Sequence, residues 1–315
     1  MNKPWINDFY FDLFKGGQIA SHYSLPVRNI LTDDVILEED NGAATSSEED
    51  VFVIQDIPEF IALGLDTSTS RYKVSKIRQY KGYLVHLSPF KNLDAYLAAQ
   101  LSSRNRKKLR SKKRKLEAAH KIRYAFYYGA IEKQEYHHLF DAFYDFLEKR
   151  FKEKEIINNN LRKWDYYREL ILPMVLEKRA SLFVIYADER PVTIGMQFHL
   201  SRTVFSYVQS YDLDFSQYNM GDISAMKRLE WCFEQGFDTF DLSVGETDYK
   251  VKWCNHPYNL YYHVFYDSKS PAAFLKSRSV ILKLRFKQYL RDKDIIGGLI
   301  KMDKLRYKIR QLSGK

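Results

Sequence analysis

The chain has 315 residues, of which 45% are hydrophobic and 29% are charged, with only 13 Gly and 8 Pro. This composition excludes a disordered or fibrous protein and fits about two domains of ordinary size. Two cysteines are too few for a disulfide framework, and we expect no metal site. No apolar run is long enough to span a membrane and the first residues do not form a secretory signal. We therefore expect a cytoplasmic protein.

The net charge of +10 is concentrated in two segments. Residues 104–115 (RNRKKLRSKKRK) contain nine basic and no acidic residues, and residues 273–315 contain thirteen Lys or Arg against three Asp. The rest of the chain is therefore acidic. Residues 33–50 contain eight carboxylates and no basic residue, and we expect the second half of this run to be a mobile loop.

Secondary structure is predicted in chain order from the spacing of the apolar residues. Predicted strands lie at Asp34–Leu37, Val51–Gln55, Tyr83–Leu87, Ile122–Tyr128, Ser181–Ala187, Thr193–Leu200, Thr203–Tyr211, FDTFDLS and Tyr261–Tyr266. Predicted helices run from Asn92 to about Ala119, over about 132–152, over Asn160–Lys178 and from about Asp222 to Gly236, followed by two amphipathic tail helices around Gly297 and Gly298. From Ile122 the order is β-α-α-β-β-β-α-β-loop-β.

Several segments in this order resemble one known superfamily. They are SSRNRKKLRSKKRKLE, FVIYADERPVTIG, QYNMGDISAMKRLEW and GFDTFDLSVGETDYKVKW. From about Ser103 to Tyr266 the chain resembles the GNAT-fold N-acyltransferases. Within them it is most similar to the branch associated with cellulose and capsule biosynthesis, which is related to the Fem-type aminoacyl-transferases of peptidoglycan.

The resemblance implies an α/β fold with a mixed, mostly antiparallel twisted sheet flanked by helices. It also implies four segments. An N-terminal region, residues 1–102, is expected to be a degenerate copy of the same fold. A basic linker helix (103–120), the GNAT acyltransferase domain (121–270) and a basic amphipathic helical tail (271–315) follow.

The candidate donor site is the start of the helix that follows the predicted strand Thr203–Tyr211. In the GNAT fold the fourth and fifth strands splay apart to admit the pantetheine arm of coenzyme A. The pyrophosphate then lies on the amides that open the next helix, where unpaired N–H groups attract phosphate. Here that position is occupied by Asn219, Met220, Gly221, Asp222 and Ile223. Gly221 permits a close approach of the ligand, and Asp222 is either a neighbour of the phosphate or simply the N-cap of the helix.

The loop after the strand FDTFDLS is the candidate chemical site. Acyl transfer needs a base, donors for the oxyanion and an acid for the leaving thiolate. We assign Asp241 or Glu246 as the base, Tyr249 as the acid or positioning phenol, and Lys250 as the donor facing the anion. The resemblance places a Tyr-Lys pair here. The alternative is a solvated loop in which Tyr249 only closes the core.

Three further residues are candidates for the acceptor cleft. Gln197 and His199 share a predicted strand, and Trp253 ends the loop. The alternative for each is ordinary core packing, and a lone histidine on a strand favours that alternative.

The basic segments are candidate phosphate sites, with Arg104, Arg106, Lys107 and Arg110 as the proposed ligands. Their partner is the nucleotide end of coenzyme A, an aminoacyl-tRNA, a polyprenyl-pyrophosphate sugar carrier or an anionic lipid surface. A solvated linker helix is the alternative. The tail is predicted to lie on a membrane surface or against the body of the protein.

The function expected is acyl transfer from acyl-coenzyme A, a co-substrate and not a permanent cofactor. The acceptor is an amine or hydroxyl of a small-molecule or lipid-linked sugar in envelope or surface-polysaccharide synthesis, at the cytoplasmic side of the membrane. One alternative is Fem-like aminoacyl transfer from tRNA to a cell-wall precursor. The other is a non-catalytic, membrane-associated scaffold. No binding to DNA is expected.

Overall fold

A computed structural model describes residues 5–38, 49–66 and 71–296, together with Tyr307. The strands are β1 Trp5–Asp8, β2 Tyr23–Asn29, β3 Asp34–Leu37, β4 Val51–Pro58, β5 Ile61–Leu65, β6 Tyr72–His86, β7 Ile122–Tyr127, β8 Ala180–Ala187, β9 Arg190–Leu200, β10 Thr203–Tyr211, β11 Thr239–Val244 and β12 His256–Asp267. The helices are α1 Phe9–Gly16, α2 Leu93–Gln100, α3 Ser103–Ala119, α4 Lys133–Glu153, α5 Trp164–Leu176, α6 Met220–Gln235, α7 Asp248–Trp253 and α8 Pro271–Asp292.

Nine strands form one sheet in the order β1-β4-β12-β6-β11-β10-β9-β8-β7. Within it the pairs β1–β4 and β10–β11 are parallel, and the other neighbours are antiparallel. A second sheet has the order β3-β2-β5. The expected fold class, a mixed and mostly antiparallel sheet flanked by helices, is confirmed.

The N-terminal and C-terminal parts of the chain contribute strands to the same sheet. Strand β6 lies between β11 and β12, and β12 also pairs with β4. The boundaries 1–102, 103–120, 121–270 and 271–315 stay a prediction about how the chain divides. In the structure, the first and third of these segments are joined by continuous strand pairing.

Alternate residues of the strands pack on opposite faces of the sheet, as strand geometry requires. In β8, Leu182 and Val184 belong to the core formed with α1, α4 and α5. Their neighbours Phe183 and Ile185 belong to the core formed with α2, α3 and α6. Helix α8 covers the β4, β6 and β12 end of the sheet through Ala273 and Ile281.

Most predicted elements are confirmed, and two are corrected. The predicted helix from Asn92 to Ala119 is two helices, because Leu101 leaves the helical conformation and Ser102 caps α3 by accepting a bond from the Asn105 amide at 3.3 Å. The predicted loop between β11 and β12 contains α7, which Thr247 caps through the Lys250 amide at 3.2 Å.

The tail prediction is tested only in its first half. Its first helix is α8, which carries Leu275, Leu282 and Phe286 on an exposed side. The predicted second tail helix and the expected mobile acidic loop lie outside the described residues. Among the helices that the structure describes, none has the length and apolar character needed to cross a membrane. Tail contact with an anionic membrane stays a prediction.

Candidate active site

A cavity opens where the parallel strands β10 and β11 separate. The two strands pair only from Thr203 to Phe205 on β10 and from Thr239 to Asp241 on β11. Beyond these pairs β10 has a bulge against β9, and β11 shifts its register against β6. The cavity has a volume of about 730 Å³ and is also lined by α6, α7 and the end of α4. We call it the first cavity.

Helix α6 begins at the wall of the first cavity. Asn219, the N-cap residue, has a left-handed backbone (φ 57°) and its side chain makes no capping bond. The side chains of Met220 and Ile223 are buried in the core. The amides of Asp222 and Ile223 donate to the Asn219 carbonyl, at 2.9 and 3.3 Å. The donors left for a ligand are therefore the Met220 and Gly221 amides. A Cβ built at Gly221 meets only the Tyr249 ring, at 4.0 Å. The end of the helix therefore presents amides to the cavity without a side chain over them.

The structure corrects one alternative for Asp222. Its carboxylate accepts a bond from Lys252 Nζ at 2.5 Å and from the Trp253 indole at 2.9 Å. The residue is the third of α6 and does not cap the helix. Because Lys252 neutralises this carboxylate, Asp222 no longer opposes an anion at the start of α6.

Tyr249 and Lys250 both line the first cavity, facing the start of α6. Burial lowers the pKa of Lys250 to about 8, opposed by the nearby Asp241 carboxylate. Its ammonium donates to the Val244 carbonyl. Burial raises the pKa of Tyr249, so this phenol stays protonated at neutral pH. The structure thus brings together the predicted donor site and two of the four predicted catalytic residues.

Asp241 is placed behind the cavity and does not line it. The carboxylate is fully buried and accepts bonds from Tyr10, from the Tyr258 hydroxyl at 2.8 Å and from the Ser243 amide at 2.7 Å. Burial raises its pKa against these hydrogen bonds. Since its oxygens are occupied by the protein, Asp241 has no path to a substrate proton in this arrangement, which argues against the predicted role as base.

Glu246 is also directed away from the cavity. It is exposed, and its carboxylate accepts the Tyr83 hydroxyl at 2.5 Å. Burial, together with Glu246, raises the pKa of Tyr83. The predicted choice of Asp241 or Glu246 as base is therefore not supported by their positions.

The three residues predicted for the acceptor cleft are in the core instead. Gln197 and His199 both bond the Ser181 hydroxyl, at 2.9 and 2.8 Å. Burial lowers the pKa of His199 to about 3, so it is neutral and packs beside Trp231 and Phe237. Trp253 is fully buried. All three follow the alternative of core packing: Gln197 and His199 because β9 is covered on both faces, and Trp253 because the end of α7 packs into the core.

The four predicted phosphate ligands on α3 divide into two groups. Arg104, Lys107 and Arg110 are exposed. Arg106 is partly buried and donates to the carbonyls of Ala98 at 2.9 Å and Leu101 at 2.6 Å, which closes the C-terminal end of α2. Arg106 therefore has a structural role, and the other three keep the predicted role as a hypothesis.

Four cations of the first cavity are absent from the sequence-based assignment: Arg150, Lys154, Arg228 and Lys252. Arg150 and Lys154 lie at the end of α4, where basic residues also favour the helix dipole. Arg228 is only 1% exposed. The segment SAMKRLEW offers no signal that distinguishes a buried Arg228 from its surface neighbour Lys227.

A second cavity of about 320 Å³ adjoins the first, and both are lined by Tyr207, Ser243 and Val244. Its wall contains the carboxylates of Asp8 and Asp56 among aromatic rings. Burial and the charge of Asp8 raise the pKa of Asp56 to about 7, opposed by Arg291. Asp56 lies where the β4–β12 register shifts, with φ 60°, and such bulges redirect side chains.

Comparisons with known proteins match one segment of the chain to a family model. Residues 103–251 match the model described as "Acetyltransferase (GNAT) domain". No curated protein matches the chain. The solved structure of FemX is 10% identical, with 73% of this chain and 75% of that chain covered and a TM-score of 0.49. L-PGS from Bacillus licheniformis is 14% identical, with 72% of each chain covered and a TM-score of 0.46.

A tandem GNAT protein from the clavulanic acid biosynthesis pathway is 7% identical, with 68% of this chain and 63% of that chain covered and a TM-score of 0.36. These structural likenesses are weak, so the family assignment depends on the sequence match. That match spans the separated strands β10 and β11, the start of α6, and both Tyr249 and Lys250. Residues 103–251, slightly less than half of the chain, therefore match a GNAT acetyltransferase domain.

Proposed function

We propose that the protein transfers an acyl group from acyl-coenzyme A to an amine or hydroxyl group of an acceptor. One observation carries the proposal. The uncapped start of α6 and the side chains of Tyr249 and Lys250 face the same cavity, at the point where β10 and β11 separate.

The excess positive charge of the first cavity suits the phosphates of coenzyme A. Its wall contains five cations, Arg150, Lys154, Arg228, Lys250 and Lys252, against Asp222 and Asp248. A pyrophosphate is stabilised by such cations and by the amides of a helix start. With its pKa near 8, Lys250 is mainly cationic at pH 7, and it can stabilise the negative charge that develops on the thioester oxygen.

The second cavity is the proposed acceptor site. The acceptor nitrogen or oxygen attacks the thioester carbonyl, a C–N or C–O bond forms, and the C–S bond breaks. The displaced proton goes to Asp56, whose pKa near 7 suits a base at neutral pH. The protonated phenol of Tyr249 donates to the departing thiolate. Proton exchange with the solvent restores both protonation states.

The acceptor class is proposed on the resemblance of the sequence. The segments QYNMGDISAMKRLEW and GFDTFDLSVGETDYKVKW resemble the branch associated with cellulose and capsule biosynthesis. On this basis the acceptor is a sugar amine or hydroxyl of envelope or surface-polysaccharide synthesis.

A second candidate function is aminoacyl transfer from tRNA. The exposed cations of α3, including Arg104, Lys107 and Arg110, favour it because they form a basic surface that suits phosphates, on the helix that begins the matched segment. It predicts salt-sensitive binding of an aminoacyl-tRNA. Charge reversal of these three residues would weaken that binding and leave the affinity for coenzyme A unchanged.

Two substitutions at Gly221 test the proposed donor site. We expect Gly221→Asp to weaken coenzyme A and acetyl-coenzyme A binding at least about tenfold in calorimetry, because the new carboxylate repels the pyrophosphate. The same carboxylate stabilises the start of a helix, so the thermal unfolding midpoint should not fall. Gly221→Ala adds only a methyl group at an ordinary contact distance and is the matched control.

Two results would overturn the proposal. One is the absence of any coenzyme A binding to the wild-type protein, which would favour the scaffold alternative. The other is an affinity that Gly221→Asp leaves unchanged.

A further inference from the structure

Arg228 is a buried cation without a described counter-charge. Its side chain reaches from α6 across the sheet face, and it is 1% exposed. Nη1 donates to the Ser206 hydroxyl at 2.7 Å, and Nη2 donates to the Gln209 amide oxygen and to the Tyr249 hydroxyl at 3.3 Å. Nε has no hydrogen-bond partner. None of the ion pairs among the described residues includes Arg228.

The acidic groups nearest in the fold do not neutralise it. Asp222 is bound by Lys252 and Trp253. Asp241 projects to the opposite face of the sheet, toward Tyr10 and Tyr258. The Tyr249 phenol is not an anion, because burial raises its pKa. Arg228 therefore contributes a full positive charge to its surroundings, since arginine does not deprotonate in proteins.

Such an arrangement is costly to the folded protein. A buried charge without an opposite charge beside it destabilises the folded protein. Hydrogen bonds between α6 and β10 need no charge, because the neutral amide of a glutamine could donate them. The cost therefore points to an anion that arrives with a ligand, and Arg228 lines the first cavity from which such a ligand would come.

The position of Arg228 indicates which part of the ligand carries the anion. Ser206 follows Phe205, the last β10 residue paired with β11, so the guanidinium lies where the two strands begin to separate. Along α6 it is seven residues from Gly221, about 10 Å at the helical rise. The phosphates of the proposed donor lie at the start of α6. The reactive acyl end would therefore lie near Arg228.

We propose that Arg228 binds a carboxylate on the acyl group, so that the donor is the coenzyme A thioester of a dicarboxylic acid of the malonyl or succinyl class. The inference rests on the proposed function and names the donor for that site. In the transfer, the thioester C–S bond breaks and the acceptor bond forms, while the distal carboxylate stays unchanged on Arg228. An aminoacyl group is disfavoured, because its ammonium would meet a buried cation.

Calorimetry with two thioesters of equal chain length tests the proposal. Succinyl-coenzyme A and butyryl-coenzyme A differ chiefly in the terminal carboxylate. We expect the wild-type protein to bind the succinyl thioester at least about tenfold more tightly. Arg228→Gln should reduce this preference to about twofold or less, by weakening the binding of succinyl-coenzyme A more than that of butyryl-coenzyme A.

Two controls separate this effect from loss of fold or loss of general charge. Lys227→Gln removes the adjacent cation, which pairs with Glu230 on the helix surface, and should keep the preference. Arg228→Lys keeps the positive charge and should retain part of the preference for succinyl-coenzyme A. If Arg228→Gln does not fold, the wild-type comparison and Arg228→Lys still decide the question.

The outcomes distinguish this inference from the proposed function. Equal binding of the two thioesters by the wild-type protein, with coenzyme A bound, would overturn the inference alone. An equal loss of both thioesters in Arg228→Gln would also overturn it. The absence of all coenzyme A binding would overturn the proposed function and the inference with it.

Discussion

The first and second cavities share the wall formed by Tyr207, Ser243 and Val244, yet their charges are opposite. The first cavity contains an excess of cations and the start of a helix. In the second, the carboxylates of Asp8 and Asp56 lie among tyrosine and phenylalanine rings, with Lys163 as the cation in the lining. The first cavity therefore favours an anionic ligand, and the second favours a ligand that can give a proton to a carboxylate.

The titrating groups sharpen this difference. Burial moves Lys250 and Asp56 in opposite directions, to pKa values of about 8 and about 7. Both groups therefore change charge near neutral pH, one on each side of the shared wall. If the two cavities hold different substrates, replacing Lys250 should alter ligand binding in the first cavity alone, and replacing Asp56 should alter it in the second alone.

The largest expected effect is on stability, in the variant Asp56→Asn. The pKa of Asp56 rises from 3.8 to about 7 in the folded protein, so the folded state binds a proton more tightly than the unfolded state. The contribution of Asp56 to the free energy of unfolding is therefore fully present below about pH 4, and it is lost as the pH rises through 7. We expect the free energy of unfolding of the variant to exceed that of the wild type by about 4 kcal/mol at pH 8.5 and to match it near pH 4, in chemical denaturation at each pH.

The control for Asp56→Asn is Glu169→Gln, which removes an exposed carboxylate from α5. It should show no such dependence on pH. Coenzyme A should bind Asp56→Asn as it binds the wild type. A loss of that affinity would contradict the separation of the two cavities.

A somewhat smaller effect is expected for donor affinity in Lys250→Met. At pH 7 the Lys250 ammonium is mostly protonated and faces the first cavity. We expect this variant to bind coenzyme A about tenfold more weakly at pH 7. The ratio of the two affinities should approach one at pH 9.5, because the wild-type lysine then loses its proton. Calorimetry at both pH values measures it.

Lys283→Met, on the exposed side of α8, is the matched control for Lys250→Met. It should leave the affinity unchanged at both values. A ratio for Lys250→Met that does not vary with pH would show that Lys250 acts through packing and not through its charge.

The first cavity could be predicted from the sequence because its parts are local. The helix from Asp222 to Gly236 and the strand before it follow from short-range apolar spacing. The family resemblance then places Asn219 to Ile223 opposite Tyr249 and Lys250. Burial of Arg228 could not be predicted, because two adjacent basic residues on a helix give no indication of which one enters the core.

The second cavity could not be predicted because it depends on contacts far apart in the chain. Asp56 is positioned by the pairing of β4 with β12, about 200 residues later, and by a shift in that pairing. The insertion of β6 between β11 and β12 is equally non-local. Periodicity within a segment predicts that a strand exists, but it does not determine its neighbours in a mixed sheet.

The smallest expected effect on ligand binding is that of His199→Gln, which lies outside both cavities. A glutamine can keep the bond to Ser181, so coenzyme A affinity should stay within about twofold. The pKa of His199 falls from 6.5 to about 3 on folding, so the wild-type protein loses stability as pH falls below 6.5, when the unfolded chain takes up the proton first. The variant lacks this loss, and its stability deficit relative to the wild type should shrink between pH 7.5 and pH 5. If the free energy of coenzyme A binding changes by more than the free energy of unfolding, His199 belongs to the ligand site after all.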